Sequence, residues 1–471
     1  MPPQFLSGRA LALRFGVFSF LINAKPSEPF LTLYLKETKL LSDEQLATQV
    51  YPFSTVGAFV FLLPLAMLAE VVGCRAVILL GLLCREATRV LLIFGQGVAT
   101  MALMQCFYAA GVSATAIYFA YVYQAAPRDE YAKLTAIALA FYHIGNVCAA
   151  LAAEALVAWM PGWHADLTPL FYISWVTTSL GILAFVFLPP PRHAPPPSLA
   201  HNLLRSGCGS TLAELASLYA SRASLFWLLW FLLSLSGNAQ VLNYFQLQLS
   251  QTSGHVPYGF LEAAIEAGLA TGALLALLAT SAATARPGAF LCATSAARAV
   301  CLAFAAIAAQ QAGSSSSSSS GSGSTGALLP ALLNVAAATI FGLQQSVAST
   351  LLGGVIARVG GSFPLLFGTN TLLANGASAV LGAFGAAMGW GASAYYWAAG
   401  LLLIILAACA PLLASAGAET HAADLNGVTV LVEEQEGGEA ASDAPRSGAS
   451  AAAVPIRSSR AAERQHAAAD D

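Results

Sequence analysis

Apolar segments long enough to cross a lipid bilayer recur along most of this chain. A helix needs ~20 mostly apolar residues to span the hydrocarbon core of a membrane. Windows of this kind occupy residues 9–35, 51–70, 76–94, 101–124, 133–158, 168–188, 223–249, 258–282, 287–308, 327–356, 363–387 and 393–412. The pattern therefore predicts an all-α integral membrane protein with twelve transmembrane helices.

The longest polar connection in this region separates the sixth window from the seventh and begins with "LPPPRHAPPP". Six spans on each side are typical of a two-lobed carrier, in which each half is a helical bundle and the site is central. We expect an N-terminal six-helix lobe at residues 1–190, a cytoplasmic linker at 191–222 and a C-terminal six-helix lobe at 223–412.

Two other segments lack the apolar pattern. The stretch "GSSSSSSSGSGSTG" at 313–326 has the composition of a flexible linker and falls between the ninth and tenth spans, on the predicted outer side. Residues 413–471 are rich in Ala, Gly, Ser, Glu and Arg. We expect this tail to be disordered and cytoplasmic.

Basic residues fall mainly on one side of the predicted membrane. The connections after even-numbered spans hold Arg75, Arg128, Lys133, Arg192, Arg205, Arg222, Arg286 and Arg358, and the opposite connections hold only Lys36 and Lys39. Because cytoplasmic loops are enriched in Lys and Arg, both termini are predicted to be cytoplasmic. No organelle address is seen in the sequence, so we expect the plasma membrane.

The segment "LAEVVGCRAV" at 68–77 places an acid, a glycine and a base between the second and third spans. It resembles the degenerate loop motif of the major facilitator superfamily, in which the acid caps or pairs at a helix end and the glycine permits a tight turn. The resemblance implies a major facilitator-type 6+6 bundle.

Composition narrows the possible functions further. Hydrophobic residues make up 57% of the chain and charged residues only 9%, against about 25% charged in a typical soluble domain. The net charge of −3 and the lack of a basic cluster give no indication of nucleic-acid binding. The seven histidines are scattered, so we expect no metal, no cofactor and no catalytic centre; the expected partners are a small molecule and the bilayer.

The segment "KPSEPF" holds the most informative charges, Lys25 and Glu28, at membrane depth. Pro26 and Pro29 lack backbone donors and disfavour helical geometry in the residues before them. Broken helix at this depth persists only where it packs in protein or lines a cavity. Glu28 is therefore predicted to bind a cationic or hydrogen-bond-donating solute, with Lys25 as its ion-pair partner; a purely structural ion pair is the alternative.

Other charges also lie in apolar windows, where each costs ~2.5–3.5 kcal/mol at a helix centre. Arg85, Glu86 and Arg89 share the third span and either pair with other helices or reach toward the interface. Glu262 and Glu266 lie in the eighth span. Together with Lys25, these two acids are the candidates for ion or proton coupling.

Two spans carry polar or aromatic series. In span four, Tyr108, Thr115 and Tyr118 fall roughly on one side of a helix and indicate either packing or a cavity wall. Span seven, "LSLSGNAQVLNYFQLQL", contains Asn243 and Tyr244 within a dense series of amides. Amides in lipid need partners, so the series predicts either a cavity lining or hydrogen bonds between helices.

Three segments, "KPSEPFLTLYL", "FGQGVATMALMQCFYAAGVSATAIYFAYVY" and "SGNAQVLNYFQLQL", resemble the folate–thiamine carriers of the reduced folate carrier group. The resemblance implies a twelve-span major facilitator fold and a vitamin site reached by alternating access. It also implies that Glu28 contacts the substrate. Tyr108, Thr115, Tyr118 and Tyr244 fall at cavity-lining positions, and we add Asn243 to the predicted site.

Departures from the family pattern bear on the substrate. Folate carriers place cations in spans four, ten and eleven; here span four has Thr115, span eleven has Ser378, and span ten is uncharged around "TIFGLQQS". A cavity without fixed positive charge favours thiamine or a close relative over folate. The thiamine members usually carry an acid at Thr115 and an aromatic residue at Ser54, which this chain lacks.

Two alternatives are left open by the sequence. The first is a folate transporter of the same fold that uses other cations, such as Arg85 or Arg298. The second is a membrane receptor that binds its ligand without transporting it.

Overall fold

The computed structural model describes residues 8–160, 162, 166–191, 222–250, 258–315, 328–359 and 362–409. The linker, most of the Ser/Gly-rich loop and the predicted tail lie outside these residues. The described residues belong to one compact unit, Met1–Gly417.

Within the described residues, every predicted window falls mainly on helix, although the first is broken into two pieces. Short helical turns, Asp43–Gln45 and Leu46–Val50, precede α3. The helices are α1 (Gly8–Asn23), α2 (Leu31–Glu37), α3 (Pro52–Val72), α4 (Cys74–Phe94), α5 (Gly97–Ala125), α6 (Tyr131–Trp159), α7 (Thr168–Val186), α8 (Arg222–Ser250), α9 (Tyr258–Ala285), α10 (Pro287–Ser315), α11 (Leu328–Val359), α12 (Phe363–Ala387) and α13 (Ala392–Cys409).

In the described part of the chain, eight helices are long and apolar enough to cross a membrane. They are α3, α5, α6, α7, α9, α10, α11 and α13. Of the others, α1 has only 16 residues, and α4 carries charges along its length. The helical membrane architecture is confirmed at this level, while the count of twelve spans stays a prediction.

The motif at 68–77 forms the tight turn that the sequence indicates. α3 ends at Val72, α4 begins at Cys74, and Gly73 between them has φ 89°, a conformation that favours glycine. Arg75 donates a hydrogen bond to the Pro189 carbonyl, 3.1 Å away, just beyond the end of α7. The Glu70 carboxylate accepts a hydrogen bond from the Ser362 hydroxyl before α12.

Helices from the two halves of the sequence pack against each other along two seams. At one seam α6 lies against α9 and α11, and at the other α3 and α5 lie against α12. Near the predicted cytoplasmic end, the Tyr123 ring of α5 stacks on Phe363 and Phe367 of α12, with centroids 5.7 and 5.3 Å apart. At the first seam, α6 from one half and α9 from the other both contact the Glu28–Phe30 turn at the helix break.

Candidate functional site

The break between α1 and α2 holds the candidate site. α1 ends at Asn23, and a single 3-10 turn, Glu28–Phe30, leads into α2. The Ser27 amide donates a 2.9 Å hydrogen bond to the Ser174 hydroxyl of α7, which anchors the irregular segment. The prediction of broken helix around the two prolines is confirmed.

Glu28 is held by two cations. Lys25 Nζ and Arg89 Nη2 both lie 2.8 Å from Glu28 Oε1, and Arg89 Nη1 donates to the Ser27 hydroxyl at 3.0 Å. Oε2 of Glu28 accepts no hydrogen bond from the described residues, and the Glu28 side chain is 23% exposed. The carboxylate is thus fixed through one oxygen, and the other can receive a donor from a ligand.

Arg85 lies one helical turn before Arg89 on the same face of α4. Its Nη1 donates to the Ile22 carbonyl at 3.2 Å, and its Nη2 donates to the Thr115 hydroxyl at 2.8 Å. The expectation of a site without fixed positive charge is therefore wrong, because α4 brings two guanidinium groups to it. The expectation rests on the fourth, tenth and eleventh spans, and Arg85 enters the sequence analysis only as a cation of the alternative folate transporter.

Tyrosines from α5 and α6 border the same cluster. Tyr108 is close enough to Glu28 and Arg85 to interact with their charges, and so is Tyr142. Both side chains are half-buried. Of these two, Tyr108 belongs to the predicted site, whereas Tyr142 was missed.

Helix α9, from the second half of the chain, places two glutamates, Glu262 and Glu266, beside the cluster. α9 and α6 both contact the Glu28–Phe30 turn. Glu262 is close enough to Glu28 and Lys25 for electrostatic interaction. Glu266 is paired with His143 of α6, whose Nδ1 lies 2.6 Å from its Oε2. The cluster therefore contains residues from both halves of the sequence, and the coupling roles of Lys25, Glu262 and Glu266 stay predictions.

Two predicted site residues, Tyr118 and Tyr244, make packing contacts. Tyr118 is 1% exposed, and its hydroxyl group is bonded to the Ser19 hydroxyl and the Phe15 carbonyl, 2.8 and 3.0 Å away. Tyr244 stacks on Tyr395 of α13 with centroids 3.8 Å apart. The side chain of Asn243 is outside the described part of the structure. These observations favour packing for Tyr118 and Tyr244, and substrate contact by Tyr118, Tyr244 and Asn243 stays a prediction.

The amide series of α8 mostly joins helices together. The Gln240 amide donates to the Ser378 hydroxyl of α12 at 2.8 Å, and the Asn334 amide of α11 donates to Gln248 at 3.1 Å. Asn238 accepts a 2.7 Å hydrogen bond from Arg298. Of the two interpretations of this series, hydrogen bonding between helices is the one these residues support.

A metal site is not seen within the described residues, where no three His, Cys, Asp or Glu side chains come together. What the cluster around Glu28 offers instead is a set of fixed charges beside aromatic rings. Such a set can bind a polar ring system by ion pairing, hydrogen bonding and stacking.

Residues 9–195 match the reduced folate carrier family. This range contains the helix break, Arg85, Arg89 and both tyrosines beside Glu28. The resemblance noted in the sequence is therefore confirmed, and it is confirmed over the part of the chain that builds most of the site.

Similar proteins include transporters of two kinds. Thiamine transporter 2 of Macaca fascicularis is 26% identical over 320 residues, which is 56% of this chain and 63% of that protein. Human thiamine transporter 2 is 28% identical over 50% of this chain and 56% of its own length. A folate-like transporter of Dictyostelium discoideum is 29% identical over 37% of this chain and 30% of that protein. The chain thus spans less than two thirds of each of these relatives.

Proposed function

We propose that the protein is a secondary transporter that carries thiamine or a close relative across a membrane by alternating access. The observation that carries the proposal is Glu28, held in broken helix, whose Oε2 receives no hydrogen bond from the residues that the structure describes, and which has residues from both halves of the chain around it. The similarity to thiamine transporters of macaque and human supports the same substrate class.

The proposed architecture is a twelve-span 6+6 bundle in the plasma membrane, with both termini in the cytoplasm. α1 and α2 together form the first span, and α3 to α13 form the others. The two halves rock around the Glu28 cluster, and contacts such as Tyr123 with Phe363 and Phe367 separate when the cytoplasmic end opens. The seams between the halves support this arrangement.

In the proposed site, Glu28 Oε2 accepts a hydrogen bond from the aminopyrimidine or faces the thiazolium cation. Tyr108 and Tyr142 lie near enough to pack on the rings. Glu262 places a further acid on the side of the second half. The proposed coupling groups are Lys25, Glu262 and Glu266, each of which lies in or beside the cluster.

The test is uptake of radiolabelled thiamine in a host that lacks thiamine transport, normalised to the amount of protein at the cell surface. We expect the wild-type chain to restore uptake and Glu28→Gln to abolish it. Glu37→Gln is the matched control, because Glu37 is an exposed acid at the end of α2. Uptake by Glu28→Gln at the wild-type level would remove Glu28 from the site.

A folate transporter is the second candidate, because Arg85 and Arg89 supply cations that a dicarboxylate requires. Uptake of labelled folate with excess unlabelled thiamine, and the converse experiment, separates the two. We expect thiamine to be taken up and not to be displaced by folate. Preferential uptake of folate without competition by thiamine would reverse the ranking.

A further inference from the structure

One contact between the two halves of the chain joins two titratable side chains within the membrane region. His143 of α6 and Glu266 of α9 lie 2.6 Å apart, from Nδ1 to Oε2, and their side chains are 10% and 15% exposed. The imidazole Nδ1–H donates to the carboxylate when Glu266 is ionised. The two residues are 123 positions apart in the sequence, so this bond joins the halves directly.

This His143–Glu266 pair lies inside a packed seam. α6 and α9 run antiparallel, and near the start of α9 the Gly259 amide donates a hydrogen bond to Glu154 of α6 at 3.1 Å. On the other side of the pair, Ala140 packs with Ala273 in a small buried cluster. The pair is therefore screened from bulk water, and its bond is electrostatically stronger than the same bond in water.

The charged and titratable groups around the pair come from several elements. They are Tyr142 in α6, Glu262 in α9, Arg85 in α4, Tyr108 in α5, and Lys25 and Glu28 at the helix break. α1 packs against α6 but has its arginines, Arg9 and Arg14, in its first two turns, and α11 has no titratable side chain before Arg358. None of these groups is an imidazole; His143 is, and imidazole is the side chain whose charge most readily changes between pH 5 and 8.

We propose that the His143–Glu266 pair is a latch, a bond between the halves that breaks in each transport cycle and that tightens when His143 is protonated. Neutral imidazole donates one hydrogen bond, whereas imidazolium adds the attraction of opposite charges. Opening steps limit the turnover of many enzymes, and the same is expected of a carrier whose halves must separate. The inference rests on the proposed function and deepens it, since it assigns residues that set the rate of alternating access.

The experiment is equilibrium exchange of radiolabelled thiamine in vesicles that contain the purified full-length chain. The pH is the same on both sides, so that no proton gradient contributes, and exchange is measured at pH 8 and at pH 5.5. We expect the maximal rate of the wild type to fall in acid, because the protonated latch opens more slowly, while KM changes little.

Weakening the latch should speed the cycle. In His143→Leu and Glu266→Leu, the maximal rate should rise about threefold at pH 8, the factor for an average hydrogen bond between membrane helices, and about tenfold at pH 5.5. The melting temperature of the same variants should fall, because a buried bond is lost. A purely structural pair would lower the rate together with the melting temperature.

Three further variants separate protonation from packing. His143→Asn keeps a side-chain donor but cannot be protonated, so its rate should no longer fall in acid; it also serves if a leucine variant does not fold. Glu262→Gln removes a neighbouring carboxyl group that competes for the proton, and it should keep the fall in acid. Glu37→Gln, at an exposed acid near the end of α2, is the control and should match the wild type at both pH values.

Leucine variants with an unchanged or lower maximal rate would overturn the latch, while exchange by the wild type would leave the proposed function standing. A fall in acid that is absent from the wild type, persists in His143→Asn or disappears in Glu262→Gln would overturn the role of His143 protonation. If the wild-type vesicles exchange no thiamine, the proposed function fails. The latch is then tested by melting temperatures, and it is overturned if the effects of His143→Leu and Glu266→Leu simply add.

Discussion

Arg85 in the first half of the chain and Arg298 in the second occupy comparable places. Each follows the first residue of its helix, Cys74 or Pro287, by eleven positions. Arg85 bonds to α1 and α5, and Arg298 bonds to α8 and lies 4.5 Å from the Phe341 ring centroid of α11. In each half an arginine thus joins two other helices: Arg85 joins α1 to α5, and Arg298 joins α8 to α11.

The surroundings of the two arginines differ in kind. Arg85 has Arg89, Lys25 and Glu28 near it, and Glu28 is partly open. Arg298 is 1% exposed, and its described partners, Asn238, Ser234 and Phe341, are neutral. An arginine at the same position of its helix therefore belongs to a partly exposed charged cluster in one half and to a buried network with neutral partners in the other. Burial and partner chemistry, more than helix position, distinguish the candidate site from the polar network around Arg298.

The largest expected effect comes from removing the shared acid of the first half. Glu28→Gln leaves Lys25 and Arg89 without a counterion, which costs about 3 kcal/mol of unfolding free energy, the lower end of the range for buried pairs, because Glu28 is 23% exposed. Adding Arg89→Gln to that variant should restore part of the loss. Thermal unfolding of the purified chain measures both. A double variant less stable than Glu28→Gln alone would show that the charges are not coupled.

Packing should prove similar in the two halves. A Cβ atom at Gly145 would meet the Phe20 carbonyl of α1, and one at Gly272 would meet the Thr339 carbonyl of α11. Gly145→Leu and Gly272→Leu should each cost about 1–3 kcal/mol through overpacking, whereas Gly391→Ala, in open space, serves as the control. Unfolding midpoints give the comparison. If only one of the two leucine variants loses stability, the two halves differ in packing as well as in charge.

The closed network of the second half should tolerate the loss of its charge better. Arg298→Met removes a buried cation along with its hydrogen bonds, so the net cost is about 1 kcal/mol, from polar groups left without a partner. Asn238→Leu in the same chain should recover part of it. If Arg298→Met lowers the free energy of unfolding as much as Glu28→Gln does in the same thermal unfolding experiment, the conclusion that Arg298 has only neutral partners in the described residues would be contradicted.

The smallest effect is expected for an amide that only joins helices. Gln240→Leu removes its hydrogen bond to Ser378 and should cost about 0.6 kcal/mol, the average for such bonds between membrane helices. Thiamine uptake per surface protein should stay at the wild-type level. If uptake falls tenfold while stability holds, Gln240 belongs to the cavity rather than to the packing.

Local features of the site were readable from the sequence. The prolines at 26 and 29 predicted the helix break, and the spacing of Lys25 and Glu28 predicted their ion pair; both are present. Gly73 marked the turn between α3 and α4 in the same way. Each of these depends on residues within one or two helical turns, so the chain itself fixes the geometry.

Partners from distant segments were not readable. Arg85 and Arg89 were visible as charges one turn apart in an apolar window, but the Arg89 partner is Glu28, 61 positions earlier in the chain. Tyr108 and Tyr118 share one stretch of helix, yet Tyr108 borders the charges and Tyr118 bonds to α1. The face of a helix follows from periodicity, whereas the neighbour that covers that face does not.

The sequence by itself determined the membrane-spanning character, the placement of the helices and the break that carries Glu28, because hydropathy and proline act locally along the backbone. Only the tertiary structure decided that α4 supplies two arginines to that break, that α9 supplies two acids, and that the amides of α8 bond to other helices. A buried charge in a membrane must find compensation wherever the fold brings it, and that choice depends on contacts between segments far apart in the chain.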